Sequence, residues 1–328
     1  MVTDRHEFAS RSKYGELHLV SVERAVEEVV RTILLKHGQN LLAVATDEHY
    51  LNLVLRYQPG LHEQFNWLMP ERKTALRLLR KKTAYELCRA CRIPVPAVYK
   101  LEEMLTSDRP EAYPLVAKRD AYLERTQKAG LPKYTVLQTR MEIEAFASKY
   151  ALVKEDILLQ QKLSDSFRSV SVAGFFLQGV TRCLIAVEQV RQYPSGVTCF
   201  AREAGECRWS KLVQEYIRRF AEHTGYTGFL EMEFKTDGEQ VWLLDINPRL
   251  WKWMNILKAK YPGFPHQLLS VVPMEANGKR AVWADPFRDL PAMLKEHSVC
   301  GLLDYKFGMT LYMVDFRDWG PYSFLWRR

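Results

Sequence analysis

The chain has 328 residues, 47% hydrophobic and 26% charged, enough to bury a sizeable core and to form two or three units. Its formal net charge of +8 would suit a polyanion, but the basic residues cluster at 72–92 and 118–133 without a nucleic-acid-binding signature, so no nucleic-acid partner is expected. No apolar stretch approaches the ~18 residues of a membrane span, and the start MVTDRHEF is unlike a signal peptide, so no membrane and a cytoplasmic location are the expectation. Cys88 and Cys91 form a C-x-x-C with no second pair or histidine at ligand spacing, which reads as structural thiols.

In chain order, a helix is expected at about 22–37, then the strand NLLAVATDE at 40–48 and a helix after it. A helix-like run at 72–92 carries Arg80-Lys81-Lys82 and ends before the Pro-Val-Pro break of 94–96. YPLVAKRDAY is a short apolar strand bearing Lys118 near its end. The loop that follows has one glycine, and Arg119, Arg125, Lys128 and Lys133 are candidates to neutralise phosphates. A helix at 141–150 precedes ILLQQKLSDS, an apolar strand that runs into Gln160, Gln161, Lys162 and Leu163. Two or three strands follow, with a turn at Pro194-Ser195-Gly196. Arg191, just before that turn, has the planar fork that suits a carboxylate or acyl phosphate. The run 211–224 has helical spacing and stops at Gly225. Beyond 263 come a short helix near 288–297 and an aromatic end, DFRDWGPYSFLWRR, expected to complete the core or to pack against a neighbouring subunit in a homo-oligomer.

The most informative stretch is GFLEMEFKTDGEQVWLLDINPR, from Gly228 to Arg249. It reads as strands Phe229–Lys235 and Gln240–Asn247 around Asp237-Gly238. The even positions Leu230, Met232, Phe234, Trp242, Leu244 and Ile246 are apolar, whereas Glu231, Glu233, Asp245 and Asn247 are odd. Keeping all six apolar residues on one face requires odd positions to pair with odd, which predicts an odd-numbered loop with Gly238 left-handed. Glu233, Asp245 and Asn247 then meet on the other face as an oxygen cluster suited to magnesium held jointly with phosphates.

The Glu-x-Glu, the spacing of 12 between Glu233 and Asp245, and the run Asp245-x-Asn247-Pro-Arg249 resemble the ATP-grasp superfamily, in the manner of its carboxylate-amine ligases and carbamoyl-phosphate-synthase-like members. That resemblance implies an α+β fold within the α/β class. Its parts would be an abbreviated N-terminal Rossmann-like domain at 1–80, lacking the usual first strand–helix unit, a small lid at 81–161 and a larger lobe with a mainly antiparallel sheet at 162–328. It implies ATP and magnesium, with manganese as a substitute, bound at Glu233, Asp245 and Asn247. Lys81 and Lys118 would hold phosphates. Gln160, Gln161 and Leu163 would read adenine and Asp165 the ribose. Arg249 would face the transferring phosphoryl group, and Arg191 the acceptor side. The implied reaction joins a small-molecule carboxylate to an amine through an acyl phosphate. The alternatives are a non-catalytic nucleotide-binding regulator and a carboxylase or carbamoyl-phosphate-type enzyme.

Overall fold

The computed structural model of the chain describes residues 2–3, 18–19, 31–33, 35–37, 41–52, 54–55, 66–106, 109–121, 123–194, 196–270, 272–295, 299–305 and 309–312. The helix expected at 22–37 falls mostly outside them, with helical backbone at 31–33 and 35–37, and the aromatic end at 315–328 lies wholly outside. Strands β1 (Val2–Thr3) and β2 (His18–Leu19) pair in parallel, as do β3 (Leu42–Ala43) and β4 (Asn66–Trp67). The strand expected at 40–48 is therefore shorter. Asp47 begins a helix instead, its Oδ1 accepting from the Tyr50 N–H at 2.9 Å ahead of α1 (Glu48–Asn52).

The run 72–92 folds as two helices, α2 (Arg72–Leu78) and α3 (Lys81–Ala90). The break is Arg80, extended at φ −118° and ψ 120°. Tertiary partners outweigh its helical propensity: it bridges to Ala121, and its guanidinium meets the buried carboxylates of Asp120 and Asp156.

Four antiparallel strands, β5 (Val98–Tyr99), β6 (Leu115–Arg119), β7 (Tyr134–Leu137) and β8 (Ile157–Gln161), form a sheet in the order β5-β8-β6-β7. Helices α4 (Leu101–Thr106) and α6 (Arg140–Lys149) complete its core through Met104, Ile143 and Phe146, and Thr139 caps α6 by accepting from the Glu142 N–H. The segment expected as an open loop contains α5 (Glu124–Lys128). Arg125 of that helix binds Asp156 at 2.7 Å and Lys128 binds Glu124, so both cations are engaged away from the site described below.

The larger sheet runs β13-β12-β9-β10-β11-β14-β15 and is antiparallel except for its last pair. Its strands are β9 (Arg168–Leu177), β10 (Val180–Gln192), β11 (Thr198–Glu203), β12 (Gly228–Thr236), β13 (Val241–Asn247), β14 (Val282–Ala284) and β15 (Thr310–Leu311). Period-2 alternation gives it two buried faces. On β9, Val170, Val172 and Phe176 pack under α3 and under α7 (Arg208–Thr224), which ends at Gly225 with φ 58°. Ala173 and Phe175 face the opposite layer, built from Trp251, Trp253, α8 (Ile256–Lys260) and Trp283. The helix expected near 288–297 is α9 (Pro286–Lys295).

The β12–β13 hairpin departs from the parity argument. Its loop, Asp237–Gln240, holds an even number of residues, because Thr236 pairs with Val241. The register shifts by one between Glu233 and Phe234, with Leu244 as the extra residue, so Glu233 pairs with Asp245 and Glu231 with Asn247. The acidic residues thus share a face through a β-bulge rather than an odd loop. The bulge also exchanges the buried set, since Val241 and Leu243 join the core in place of Trp242 and Leu244. Trp242 stacks on Phe167 instead, with ring centroids 5.2 Å apart. Gly238 takes a positive φ of 109° in the turn.

Candidate functional site

Three elements converge on the non-core face of that hairpin. The bulge frees the Leu244 carbonyl from the ladder, and it accepts from Tyr85 Oη at 2.8 Å on α3 and from Lys118 Nζ at 3.2 Å on β6. One backbone oxygen therefore ties the small sheet, α3 and the large sheet together. The N-terminal unit joins through Leu250 N–H to the Ala45 carbonyl, 3.3 Å. Gly228 lets the chain at Leu68–Met69 approach so closely that a side chain on it would meet the Leu68 carbonyl.

Lys81 stands at the start of α3. Asp120 holds that end, its backbone carbonyl accepting from Lys81 N–H and its Oδ1 from Lys82 N–H, each at 2.8 Å. The Lys81 ammonium reaches across to Asp245 Oδ1 at 2.5 Å. Burial disfavours its charge, but Asp245, with Glu48 and Glu233, leaves its pKa above the ordinary lysine value. Burial likewise opposes the Asp245 charge, and Lys81 and Lys118 outweigh it, so this carboxyl stays below its usual range. Lys118 is lowered to about 8, first by burial and then by Lys81. Burial and the neighbouring Asp245 raise Glu233.

Asn247 Nδ2 donates to Glu233 Oε1 and to Glu231 Oε2, both at 3.1 Å, and its Oδ1 accepts from Arg249 Nη2 at 3.3 Å. A cavity of about 570 Å3 opens beside these groups, lined by Lys81, Glu233, Asp245, Asn247 and Arg249, by Arg119 and Lys133 of the small lobe, by Gly196, and by Asp47, Glu48 and His49 of the N-terminal unit. Among the described residues no three His, Cys, Asp or Glu side chains group so as to hold a metal ion by themselves. Two carboxylates and an amide beside two lysines fit an ion that takes its remaining ligands from phosphate and water, as magnesium does.

The structure thus brings Lys81, Lys118, Glu233, Asp245, Asn247 and Arg249 together. It places the remaining candidates elsewhere. Gln160 is buried, with its carboxamide against Tyr85 Oη at 3.0 Å rather than facing the cavity. Gln161 is exposed at the end of β8, and Leu163 is half-buried just beyond it. Asp165 is exposed and bound to Lys162 at 2.6 Å. Arg191 is buried with its fork on Asp289 at 2.7 and 2.8 Å, a further bond to Asp304 at 2.5 Å, and its guanidinium 4.1 Å from the Phe200 ring centroid. Those bonds hold it against α9, and it does not line the cavity.

Sequence reasoning missed Asp47, Glu48 and His49, although D-E-H directly after an apolar strand was a usable signal. It also missed Asp120 and Tyr85, which have no sequence signature because their partners lie 38 and 159 residues away.

The sequence matches no protein-family model and no curated protein. Solved structures do resemble it. The N5-carboxyaminoimidazole ribonucleotide synthetase of Thermus thermophilus has a TM-score of 0.66 at 15% identity, over 86% of this chain and 74% of that one. An ADP complex of an N5-carboxyaminoimidazole ribonucleotide synthetase gives 0.67 at 14%, over 90% and 77%. The biotin carboxylase of Campylobacter jejuni, solved with a β-γ-ATP ligand, gives 0.66 at 13%, over 86% and 68%. The fold is the α+β ATP-grasp fold, with a small antiparallel sheet and a larger, mainly antiparallel one.

Proposed function

We propose that the chain is an ATP-dependent ligase that converts a substrate carboxylate to an acyl phosphate and joins it to an amine, releasing ADP and phosphate. The observation that carries this reading is the cavity where Lys81, Lys133, Arg119 and Arg249 meet Glu233, Asp245 and Asn247. Glu233, Asp245 and the Asn247 oxygen are the groups that would hold magnesium, or manganese in its place. Bound there, the ion would neutralise charge on phosphate oxygens. Lys81 at the cavity wall, and Lys118 beside it on the Leu244 carbonyl, would supply ammonium groups for the nucleotide phosphates, and Arg119 and Lys133 are further cations at the wall. Arg249, whose Nη2 rests on Asn247, would stabilise charge on the transferring phosphoryl group.

Lobe boundaries at 1–80, 81–161 and 162–328 remain part of this reading, with adenine read by backbone near Leu163 and by the exposed Gln161. The Gln160 amide, turned inward to Tyr85, is left out, as is Arg191, whose fork is filled by Asp289. Asp47 and Glu48 at the rim favour an acceptor amine that arrives as its ammonium ion and attacks after giving up a proton to a rim carboxylate. A second reading takes bicarbonate as the acid, because a structural relative, a 2-oxoglutarate carboxylase biotin carboxylase domain, was solved with MgADP and bicarbonate. ADP release decides between them. Release that needs an organic acid together with an amine supports the ligase. Release with bicarbonate alone supports the second reading, and no release with any acid removes the catalytic proposal.

A further inference from the structure

Glu231 does not line the cavity, yet it is a carboxylate only 4% exposed. We propose that Glu231, clamped by Trp253, is a positioning residue that fixes which end of the Asn247 carboxamide faces the site. The inference rests on the functional reading only where Asn247 is taken to serve a metal ion.

A carboxamide has one acceptor end and one donor end, and a hard cation binds only the oxygen. Cross-strand pairing sets Glu231 directly opposite Asn247, with Glu233 one pleat further on the same face. Both carboxylates are within 3.1 Å of the same atom of Asn247. The Arg249 guanidinium only donates, so the Asn247 atom on its Nη2 is Oδ1 and the atom between the two glutamates is Nδ2, whose two hydrogens point at their carboxylate oxygens. The Asn247 oxygen is thereby turned toward Arg249 and the cavity side.

Glu233 alone would not secure this arrangement, because a metal ion would compete for its oxygens. Glu231 lies outside that competition. Its Oε1 accepts from the Trp253 indole Nε1–H at 2.8 Å, which leaves Oε2 for Asn247. Trp253 is 2% exposed and packs on Trp251 with centroids 5.4 Å apart, so the indole cannot swing away. An indole N–H only donates. The chain Trp253 → Glu231 ← Asn247 therefore has a fixed polarity at every link.

That polarity gives the test. In Glu231→Gln the new side chain must offer its carbonyl to the indole, which points its NH2 at the Asn247 NH2. Two donors face each other, and the Asn247 carboxamide is driven out of its orientation. Removing the indole donor with Trp253→Phe frees the glutamine to rotate and present its carbonyl to Asn247. The double variant should therefore recover what Glu231→Gln loses, an outcome that simple loss of packing does not produce. Two readouts apply to the folded full chain. One is hydrogen exchange of the Asn247 side-chain amide by NMR without nucleotide or metal. The other is the magnesium concentration that half-saturates stabilisation by ATP.

Glu231→Gln is expected to speed the exchange and to raise the magnesium requirement about 10-fold, the lower end for loss of a group supporting a metal ligand. The double variant is expected to return toward the parent in both. Unchanged exchange in Glu231→Gln, or a double variant as impaired as the single one, overturns the proposal. If exchange follows the prediction while the parent shows no magnesium dependence, Glu231 is a positioning residue and the functional reading alone falls.

Discussion

Replacing Asp120 by Asn leaves shape intact and removes one charge from the joint that carries Lys81. Asp120 is fully buried and accepts from Arg80 Nε at 2.9 Å, Arg80 Nη2 at 2.8 Å and Lys82 N–H at 2.8 Å. Breaking a buried ion pair by removing one partner costs about 3–5 kcal/mol. Here the Arg80 side chain is 34% exposed, so water recovers part of that loss, and about 2–3 kcal/mol is the working figure. At about 2–4 °C per kcal/mol, thermal unfolding of the ligand-free protein followed by circular dichroism should begin about 5–10 °C earlier. The asparagine NH2 would also face the guanidinium, loosening the first turn of α3, so ATP affinity should fall with stability. An Asp120→Asn protein that melts within about 1 °C of the parent and binds ATP equally well would refute the claim that this carboxylate sets the position of Lys81.

Asp245→Asn and Glu233→Gln should each abolish magnesium-dependent stabilisation by ATP while leaving the circular dichroism spectrum unchanged; titrations that overlay the parent's would remove both residues from the metal set. Lys118→Met should stabilise the ligand-free protein at pH 7 yet weaken ATP binding. The folded Lys118 pKa of about 8 lies below the unfolded 10.5, so the parent gains stability as pH rises through that window, and the variant should not. At about 1.36 kcal/mol per pH unit, less about 1 kcal/mol for the lost Leu244 bond, the net gain at pH 7 is about 2 kcal/mol; identical stability profiles from pH 7 to 10.5 would contradict it. Asp289→Asn should destabilise by about 2–3 kcal/mol, because the buried Arg191 charge then keeps only its Asp304 partner, without altering ATP affinity. A selective loss of nucleotide or acid binding there would return Arg191 to the site.

Local pattern carried the large elements. The helix ending at Gly225, the strand bearing Lys118 and the hairpin at 228–249 follow from periodicity and turn residues within short windows. The bulge at Leu244 did not, because Trp242 and Leu244 are as apolar as the Val241 and Leu243 that replace them in the core, so hydrophobicity cannot choose the parity. The break at Arg80 depends on Asp120, Ala121 and Asp156, residues far along the chain that no local propensity reports. Lys81 and Asp245 were each legible as chemistry, but not that they would stand 2.5 Å apart. Arg191 illustrates the converse: its fork suits a substrate carboxylate as well as it suits Asp289, and only the packing of α9 determines which one it meets.

The central claim is a magnesium-dependent nucleotide site between the small sheet and the β12–β13 hairpin. The shift in unfolding midpoint on adding ATP, with and without magnesium, tests it most directly. A ligand at ~100 times its dissociation constant stabilises the folded state by about 2.7 kcal/mol, a shift of several degrees. The account predicts that shift with magnesium present and a much smaller one after chelation. An unchanged midpoint at millimolar ATP and magnesium would contradict it.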